Sequence, residues 1–457
     1  MTEVKKMPLS KRGDMTVGNP FKVIILFALP ILLGNLFQQF YNLADMRISG
    51  ETLGEDALAA ISATGSIYGV IIGMANGMNN GSAIVVTRLF GAKNMERMRK
   101  AVAHMLLINL ATAAFFTALG LLLLDSLMSL IDVPETLYGE AYSYISIIIG
   151  GIITTILYNM GASVLRAVGD SRTPLVFLIF TSLLNVGLDL VFVKGLGMNV
   201  GGIALATVCA QAVSVVLVFS YIWKKRPELH VKKGDFRLEA PLFSELALMG
   251  LSMGLISSLV SLGSFALQRA INGFDKATIT ATGAARRLDG LFMLPLSTLG
   301  TAAATFVGQN YGAKRYERIT SGIKSTMIAG SLWSALGVAV IYLFGAELAE
   351  MLTASTDEQI ISEAVMYMRI NLPFFFVLNL LFVFRSSLQG LGKKAVPIVS
   401  GAIELVLKFV AATLFAPYLG YIGICIAEPV IWVVSAVVVT AVFVLDLRKL
   451  RLEQEAL

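Results

Sequence analysis

Gly91-Ala92-Lys93-Asn94-Met95-Glu96-Arg97 returns 221 residues later, from position 91 to position 312, as Gly312-Ala313-Lys314-Arg315-Tyr316-Glu317-Arg318. Further pairs keep nearly the same spacing. Leu165-Arg166-Ala167-Val168-Gly169 matches Leu388-Gln389-Gly390-Leu391-Gly392, Pro174 stands against Pro397, and Leu196-Gly197 against Leu419-Gly420. Each match follows the same ordinal apolar segment of its half, so the repeating unit is six segments long. Six is even, so both copies enter a membrane from the same side. That is a parallel repeat about an axis along the membrane normal, a design used by alternating-access transporters.

The surroundings of these motifs require a membrane. Of 457 residues, 56% are hydrophobic and 14% charged, and the mean hydropathy is +0.77. Soluble domains run at about 45–50% and about 25%. Spans of about 20 residues are expected near 21–46, 57–86, 101–124, 137–163, 173–193 and 198–222, then near 242–268, 276–306, 320–345, 361–388, 395–416 and 420–445. The predicted fold is an all-α polytopic membrane protein, with twelve transmembrane helices in two pseudo-symmetric six-helix lobes. These are an N-terminal lobe over 1–222, a cytoplasmic inter-lobe loop over 223–241 and a C-terminal lobe over 242–457. No stretch is long and polar enough for a separate catalytic domain, and no catalytic residue is expected.

The net charge of +6 is a topology signal. Lys5, Lys6, Lys11 and Arg12 precede the first span, and basic clusters return in every second connection, including Lys93 with Arg97, Lys224 to Arg226, and Lys314 with Arg315. The alternate connections are acidic or neutral, with Glu51, Glu55 and Asp56, then Glu135 and Glu140, then Glu347 and Glu350. Lys and Arg excess marks cytoplasmic loops, so both termini are expected inside, with the lipid bilayer and not nucleic acid as partner. The first span reads as a retained anchor, not a cleaved signal. Cys209 and Cys425 lie inside spans and suggest neither disulfide nor metal. His104 and His230 read as helix-end or loop residues. No GxxxxGK[ST] phosphate loop occurs, so an ion gradient or the substrate's own gradient is the expected energy source. The expected assembly is a monomer without cofactor.

Ionisable groups inside lipid-spanning helices are costly and are candidate functional groups. Asp45 sits in the first span and Asp189 in the fifth, with Asn185 one turn before Asp189; Asn159 lies in the fourth span and Thr207 in the sixth. Their oxygens form a hard-donor set suited to a small cation, and a buried carboxylate can equally hold a proton. The second lobe offers Glu404, Lys408 and Glu428, where Glu404 and Lys408 have the spacing of an intrahelical ion pair. Arg47, Arg286 and Arg287 lie toward the outer half, and Arg286 has pairing distance in sequence to Asp289. An unpaired arginine in a central cleft would attract anionic groups. Glu404 and Glu428 complete the substrate-cleft candidates. Gly65, Gly69, Gly73, Gly77 and Gly81 form a ridge for close helix approach. Pro30, Pro295, Pro373 and Pro429 can kink their spans.

Gly34-Asn35-Leu36-Phe37-Gln38-Gln39-Phe40-Tyr41-Asn42-Leu43-Ala44-Asp45 after Pro30 resembles the first helix of the multidrug and toxic compound extrusion (MATE) transporters, of the MOP flippase superfamily. Leu165 to Pro174, Phe306-Val307-Gly308-Gln309-Asn310-Tyr311-Gly312-Ala313 and Gly420 to Pro429 are similar to later family motifs, in the right order over nearly the whole chain. The resemblance implies a bacterial plasma-membrane antiporter that exports amphipathic drugs by alternating access, in exchange for Na+ or H+. It implies cation coupling at Asp45, Asn185, Asp189, Thr207 and Asn159. The chain departs from the pattern at Met46-Arg47-Ile48-Ser49-Gly50 and at Arg286. Both departures add positive charge, and the alternative is therefore a flippase or exporter of anionic or lipid-linked amphiphiles.

Overall fold

The computed structural model describes residues 13–455, without side chains at 44, 45, 48 and from 450 onward. Lys5, Lys6, Lys11 and Arg12 lie outside the described residues, as does the side chain of Asp45. Among the described residues, the candidate spans follow one another: α1 (Pro20–Leu53), α2 (Glu55–Gly91), α3 (Met95–Leu122), α4 (Glu135–Gly150 and Ile152–Ala167), α5 (Arg172–Gly195) and α6 (Val200–Lys225). After the connection come α7 (Ala240–Ile271), α8 (Lys276–Gly312), α9 (Tyr316–Thr353), α10 (Glu358–Gly390), α11 (Ala395–Leu419) and α12 (Tyr421–Glu455). Eleven of these helices are long and apolar enough to cross a membrane, and the two segments of α4, bent by 46°, make the twelfth as one span. No strand occurs among the described residues. This is the all-helical membrane architecture that the hydrophobic pattern predicts. Helices satisfy their own backbone groups where no water is available.

Polar residues set the ends of these helices. Asn94 caps α3 by accepting from the Arg97 amide, and Asp275 caps α8 by accepting from Thr278. Such caps satisfy backbone donors that the helix itself leaves open.

Contacts gather the described residues into two units, one containing 29–254 and the other containing 15–28 with 255–455. The boundaries expected from the repeat fall in the connection at 223–241, whereas the contact boundaries fall inside α1 and α7. In the first unit, the start of α7 is held by α2: Ser82 donates to the Leu246 carbonyl at 3.0 Å and Arg88 pairs with Glu245 at 2.5 Å. In the second unit, the chain before α1 is clamped by the α8–α9 turn. The Met15 amide donates to Gln309 at 2.8 Å, Arg315 to the Thr16 carbonyl at 2.7 Å and Arg318 to the Val17 carbonyl at 2.8 Å. Arg315, read as a topology signal, thus also satisfies a main-chain carbonyl, as does its neighbour Arg318.

The glycine ridge of α2 divides in two. A methyl on Gly77 would stand 2.6 Å from the Met253 carbonyl oxygen, and one on Gly81 would collide with the Met249 carbonyl. Gly65, Gly69 and Gly73 face open space. Close packing against α7 therefore belongs to the last two glycines only.

The repeat extends to the backbone itself. Lys93 and Lys314 share a φ of 56°, an uncommon left-handed conformation for a residue with a side chain. Gly169 and Gly392 have φ of 80° and 85°. A short π-helical stretch ends the regular part of α5 (Val191–Gly195) and of α11 (Ala411–Phe415). The loop latch is kept with its charges exchanged: Asp170 pairs with Arg226 at 2.7 Å in the first unit, while Lys393 pairs with Asp446 at 3.0 Å in the second.

Burial opposes the charge on Asp170. The hydrogen bond and charge of Arg226, with the amide and hydroxyl of Thr173, outweigh it and hold the carboxyl below the usual carboxylate range. A carboxylate of depressed pKa stabilises the fold above its unfolded value near 4 and loses that contribution as pH falls through its folded value. Asp170→Asn is therefore expected to cost about 3 kcal/mol at neutral pH, with the deficit shrinking below about pH 4, as read by thermal unfolding of the purified protein across pH. In the same assay, Gly81→Ala is expected to destabilise by about 1–3 kcal/mol through overpacking. Gly69→Ala, where there is room, should leave the melting temperature unchanged or higher.

Candidate functional site

In the first unit, α5 carries Asn185 and Asp189 one turn apart, both 2% exposed. The Asn185 amide has no hydrogen-bond partner among the described residues. A buried amide left in that state costs about 1–3 kcal/mol, which suits a carbonyl oxygen available as a cation ligand. Thr207 on α6, the helix packed along α5, is half-buried and donates its hydroxyl to the Ile203 carbonyl at 3.1 Å. That donation orients the hydroxyl while its oxygen keeps a lone pair. Asn159 is half-buried on the second segment of α4. Asp45 belongs to the continuous helix α1, and its side chain lies outside the described residues. Gly34 brings α1 against α5, since a methyl there would touch Leu175 and Leu178 at 3.6 and 3.7 Å. The donors of this region are oxygens, and no group of three His, Cys, Asp or Glu able to hold a metal occurs among the described residues. Such oxygens fit Na+ or H+ rather than a transition metal.

In the second unit, the structure replaces the expected pairing on α11. Glu404 and Lys408 do not bond one another. Glu404 accepts from Arg385 of α10 at 2.6 Å, and Lys408 pairs with Glu428 of α12 at 3.3 Å while donating to Ser264 of α7 at 3.0 Å. Successive turns of α11 face different neighbours, so each side chain finds a better-placed partner across a helix contact than along its own helix. Both pairs are buried, and breaking a buried pair from one side costs about 3–5 kcal/mol.

The arginines singled out in the sequence find these partners. Arg47 pairs with Glu51 at 2.7 Å on an exposed helix face, with side chains 81% and 64% exposed, a pair worth at most about 1 kcal/mol. Arg286 donates to Gln268 of α7 at 3.1 Å and forms no ion pair with Asp289 among the described residues. Asp289 is 6% exposed with Oδ1 unpartnered, and Arg287 is exposed.

Three features escaped sequence reading. Lys408 joins α7, α11 and α12, a convergence that exists only after folding. His104 is fully buried, its Nε2 3.2 Å from the Arg237 carbonyl and its ring edge-on to Phe243, and it is thus neither a loop nor a helix-end residue. His230 stacks on Trp223 with ring centroids 4.7 Å apart.

Comparison with known proteins follows the same division into halves. The family model described as MatE matches the chain twice, over residues 30–191 and 253–414, which reproduces the internal repeat. The probable multidrug resistance protein YpnP of Bacillus subtilis is 27% identical over 91% of this chain and 92% of its own length. An FAD transporter of Shewanella oneidensis is 24% identical over 90% and 91%. The chain also shares its fold with an outward-facing multidrug resistance MATE transporter of the MOP superfamily, at a TM-score of 0.88 and 24% identity over 96% of this chain and 98% of that one. With most of the chain covered by the two matches, this protein belongs to the MatE family of membrane transporters.

Proposed function

We propose that this protein is a secondary antiporter of the bacterial plasma membrane, with both termini cytoplasmic, that exports amphipathic organic compounds by alternating access in exchange for Na+ or H+. The buried Asn185 and Asp189 on one face of α5 carry this reading. They lie in the membrane-spanning part of α5, which apart from Thr181 and Ser182 is apolar there, and an ionisable group inside such a helix is costly and a candidate functional group. The contact at Gly34 supports the inclusion of Asp45. As the first and fifth spans of one lobe, α1 and α5 run in the same direction. Eleven residues beyond Gly34 and Leu178 stand Asp45 and Asp189, at the same level of their helices. Thr207 and Asn159 supply further neutral oxygens from α6 and α4.

Cation arrival would neutralise the carboxylates and lower the cost of closing α1 onto α5 and α6. Cation departure would restore that cost. This differential between two conformations is what an ion gradient needs to drive transport. The names of the relatives, multidrug resistance for one and FAD transport for another, support small amphipathic organic molecules as the cargo class.

A second reading, export of anionic amphiphiles, is favoured by one observation. Arg286 spends its guanidinium on a neutral glutamine, and Arg287 is exposed beside it, so α8 presents positive charge without an ion-pair partner among the described residues.

In proteoliposomes given separate sodium and proton gradients, Asp189→Asn and Asp45→Asn are expected to reduce gradient-driven transport to the rate of protein-free vesicles, with protein yield retained. Full transport by either variant contradicts the coupling role. With a ligand panel of both charge signs, Arg286→Ala together with Arg287→Ala should leave cationic dyes unaffected or improved. A selective loss of anionic ligands in that double variant supports the second reading over the first.

A further inference from the structure

The second unit has a cavity of about 720 Å³ where α9 ends and α10 begins. Tyr342 and Ala346 of α9 line one wall, and Glu358, Ser362, Met366 and Arg369 of α10 line the other. The two helices meet behind it, where a methyl on Gly345 would stand 3.7 Å from a Val365 methyl. Between Tyr342 and Ala346 the backbone of α9 leaves helical geometry at Phe344, with φ of −127° and ψ of 17°. The cavity thus lies beside a kink in α9.

Arg369 sets the chemistry of this cavity. It is exposed, and among the described residues its guanidinium forms neither a hydrogen bond nor an ion pair. It lies over the ring of Tyr342, with Cζ 5.4 Å from the ring centroid. A guanidinium remains charged and carries five N–H donors, and a ring face orients it without using those donors. The cavity therefore holds a fixed cation whose donors are open to a ligand.

Helix lengths give the level of that cation in the bilayer. α10 is 33 residues long, about 50 Å of helix against a hydrocarbon core of about 30 Å. Centred on the core, it extends about 10 Å past each boundary. Arg369 stands eleven residues after Glu358, the head of α10, and Tyr342 eleven before Thr353, the end of α9. Eleven residues rise about 16 Å, so both lie about 6 Å inside the boundary. Side chains of a helix lean toward its N-terminus, which for α10 is the water side, and an arginine stem carries its charged head to the interface. That is the level of lipid phosphates. Glu358 stays about 16 Å away along the helix, beyond the screening length of about 8 Å, and does not cancel the charge. From the level of Tyr342 toward the middle of the membrane, Leu343, Leu336 and Leu332 form one exposed apolar stripe on α9, a track for an acyl chain.

We propose that this cavity is a binding site for one phospholipid, with its phosphodiester on the Arg369 guanidinium, its headgroup beside Ser362 and an acyl chain along α9. The phosphate is the recognised group, since arginine donors match its oxygens in geometry and charge. The site is separate from the cation coupling on α5 and does not depend on it.

Native mass spectrometry tests this on the full-length protein in detergent with added phosphatidylglycerol or phosphatidylethanolamine. One lipid of either kind per chain is expected to outlast the others as activation energy rises. Arg369→Gln should weaken its affinity about tenfold or more, the scale of one hydrogen bond to a charged group, while Arg369→Lys should keep most of it. Ala346→Phe, which fills the cavity and leaves the arginine in place, should abolish retention. Lys276→Gln should change nothing: Lys276 is an exposed cation in the first turn of α8, an even-numbered span that begins at the same membrane face as α10. Asp189→Asn should also retain the lipid, whether or not it transports. Melting temperatures equal to wild type in lipid-free detergent separate loss of binding from loss of fold. Retention that survives Arg369→Gln or Ala346→Phe, or falls equally in Lys276→Gln, overturns the proposal. Full displacement of the lipid by glycerol 3-phosphate also overturns it, since the ligand would then be a soluble phosphate ester.

Discussion

The cost of placing an ionised side chain in an apolar helical interior governs this structure. A charged residue at the centre of a span costs about 2.5–3.5 kcal/mol on insertion scales, and close helix packing returns little of that. Several buried charges are matched by a partner from another part of the chain: Arg385 with Glu404, Lys408 with Glu428, Asp170 with Arg226. The matching is also what ties helices together, since α7, α11 and α12 meet at one ammonium. In the first unit Asp189 lies one turn from Asn185 on α5, with both side chains buried.

Duplication supplied two copies of one backbone, and the chemistry then diverged on it. Left-handed Lys93 and Lys314, the paired glycines 169 and 392, and the π-helical ends of α5 and α11 persist in both copies. The charges do not. The latch Asp170–Arg226 becomes Lys393–Asp446 with its signs exchanged, and Asn185 is replaced by Lys408. Backbone geometry depends on turns and close approaches that few residues satisfy. Charge identity is free to change so long as its partner changes with it.

Span positions, helix count and the repeat were readable because each follows from a period or a composition that a single chain carries. The buried pair Asn185 and Asp189 was readable for the same reason, since two polar residues a turn apart in an apolar run share a face. Partnerships were not. The spacing of Glu404 and Lys408 suggested a pair on one helix, and that of Arg286 and Asp289 another, but local spacing competes with contacts from α7, α10 and α12 that no single-chain pattern records. The glycine ridge shows the same limit: five equally spaced glycines look alike in sequence, and only Gly77 and Gly81 meet a neighbouring backbone. His104 was misplaced because its environment comes from the connection folding back onto α3.

The proposed transport cycle depends on a monovalent cation or proton bound in the N-terminal lobe at Asp189 and its neighbours. Equilibrium binding of radioactive sodium to the purified protein, with proton release recorded in the same sample, tests it most directly. Sodium is expected to bind one class of site in competition with protons, or sodium-independent proton uptake is expected there, and in either case that component is lost in Asp189→Asn and retained in Lys393→Ala at the distant latch. Cation binding or proton uptake that is unchanged by Asp189→Asn would contradict it.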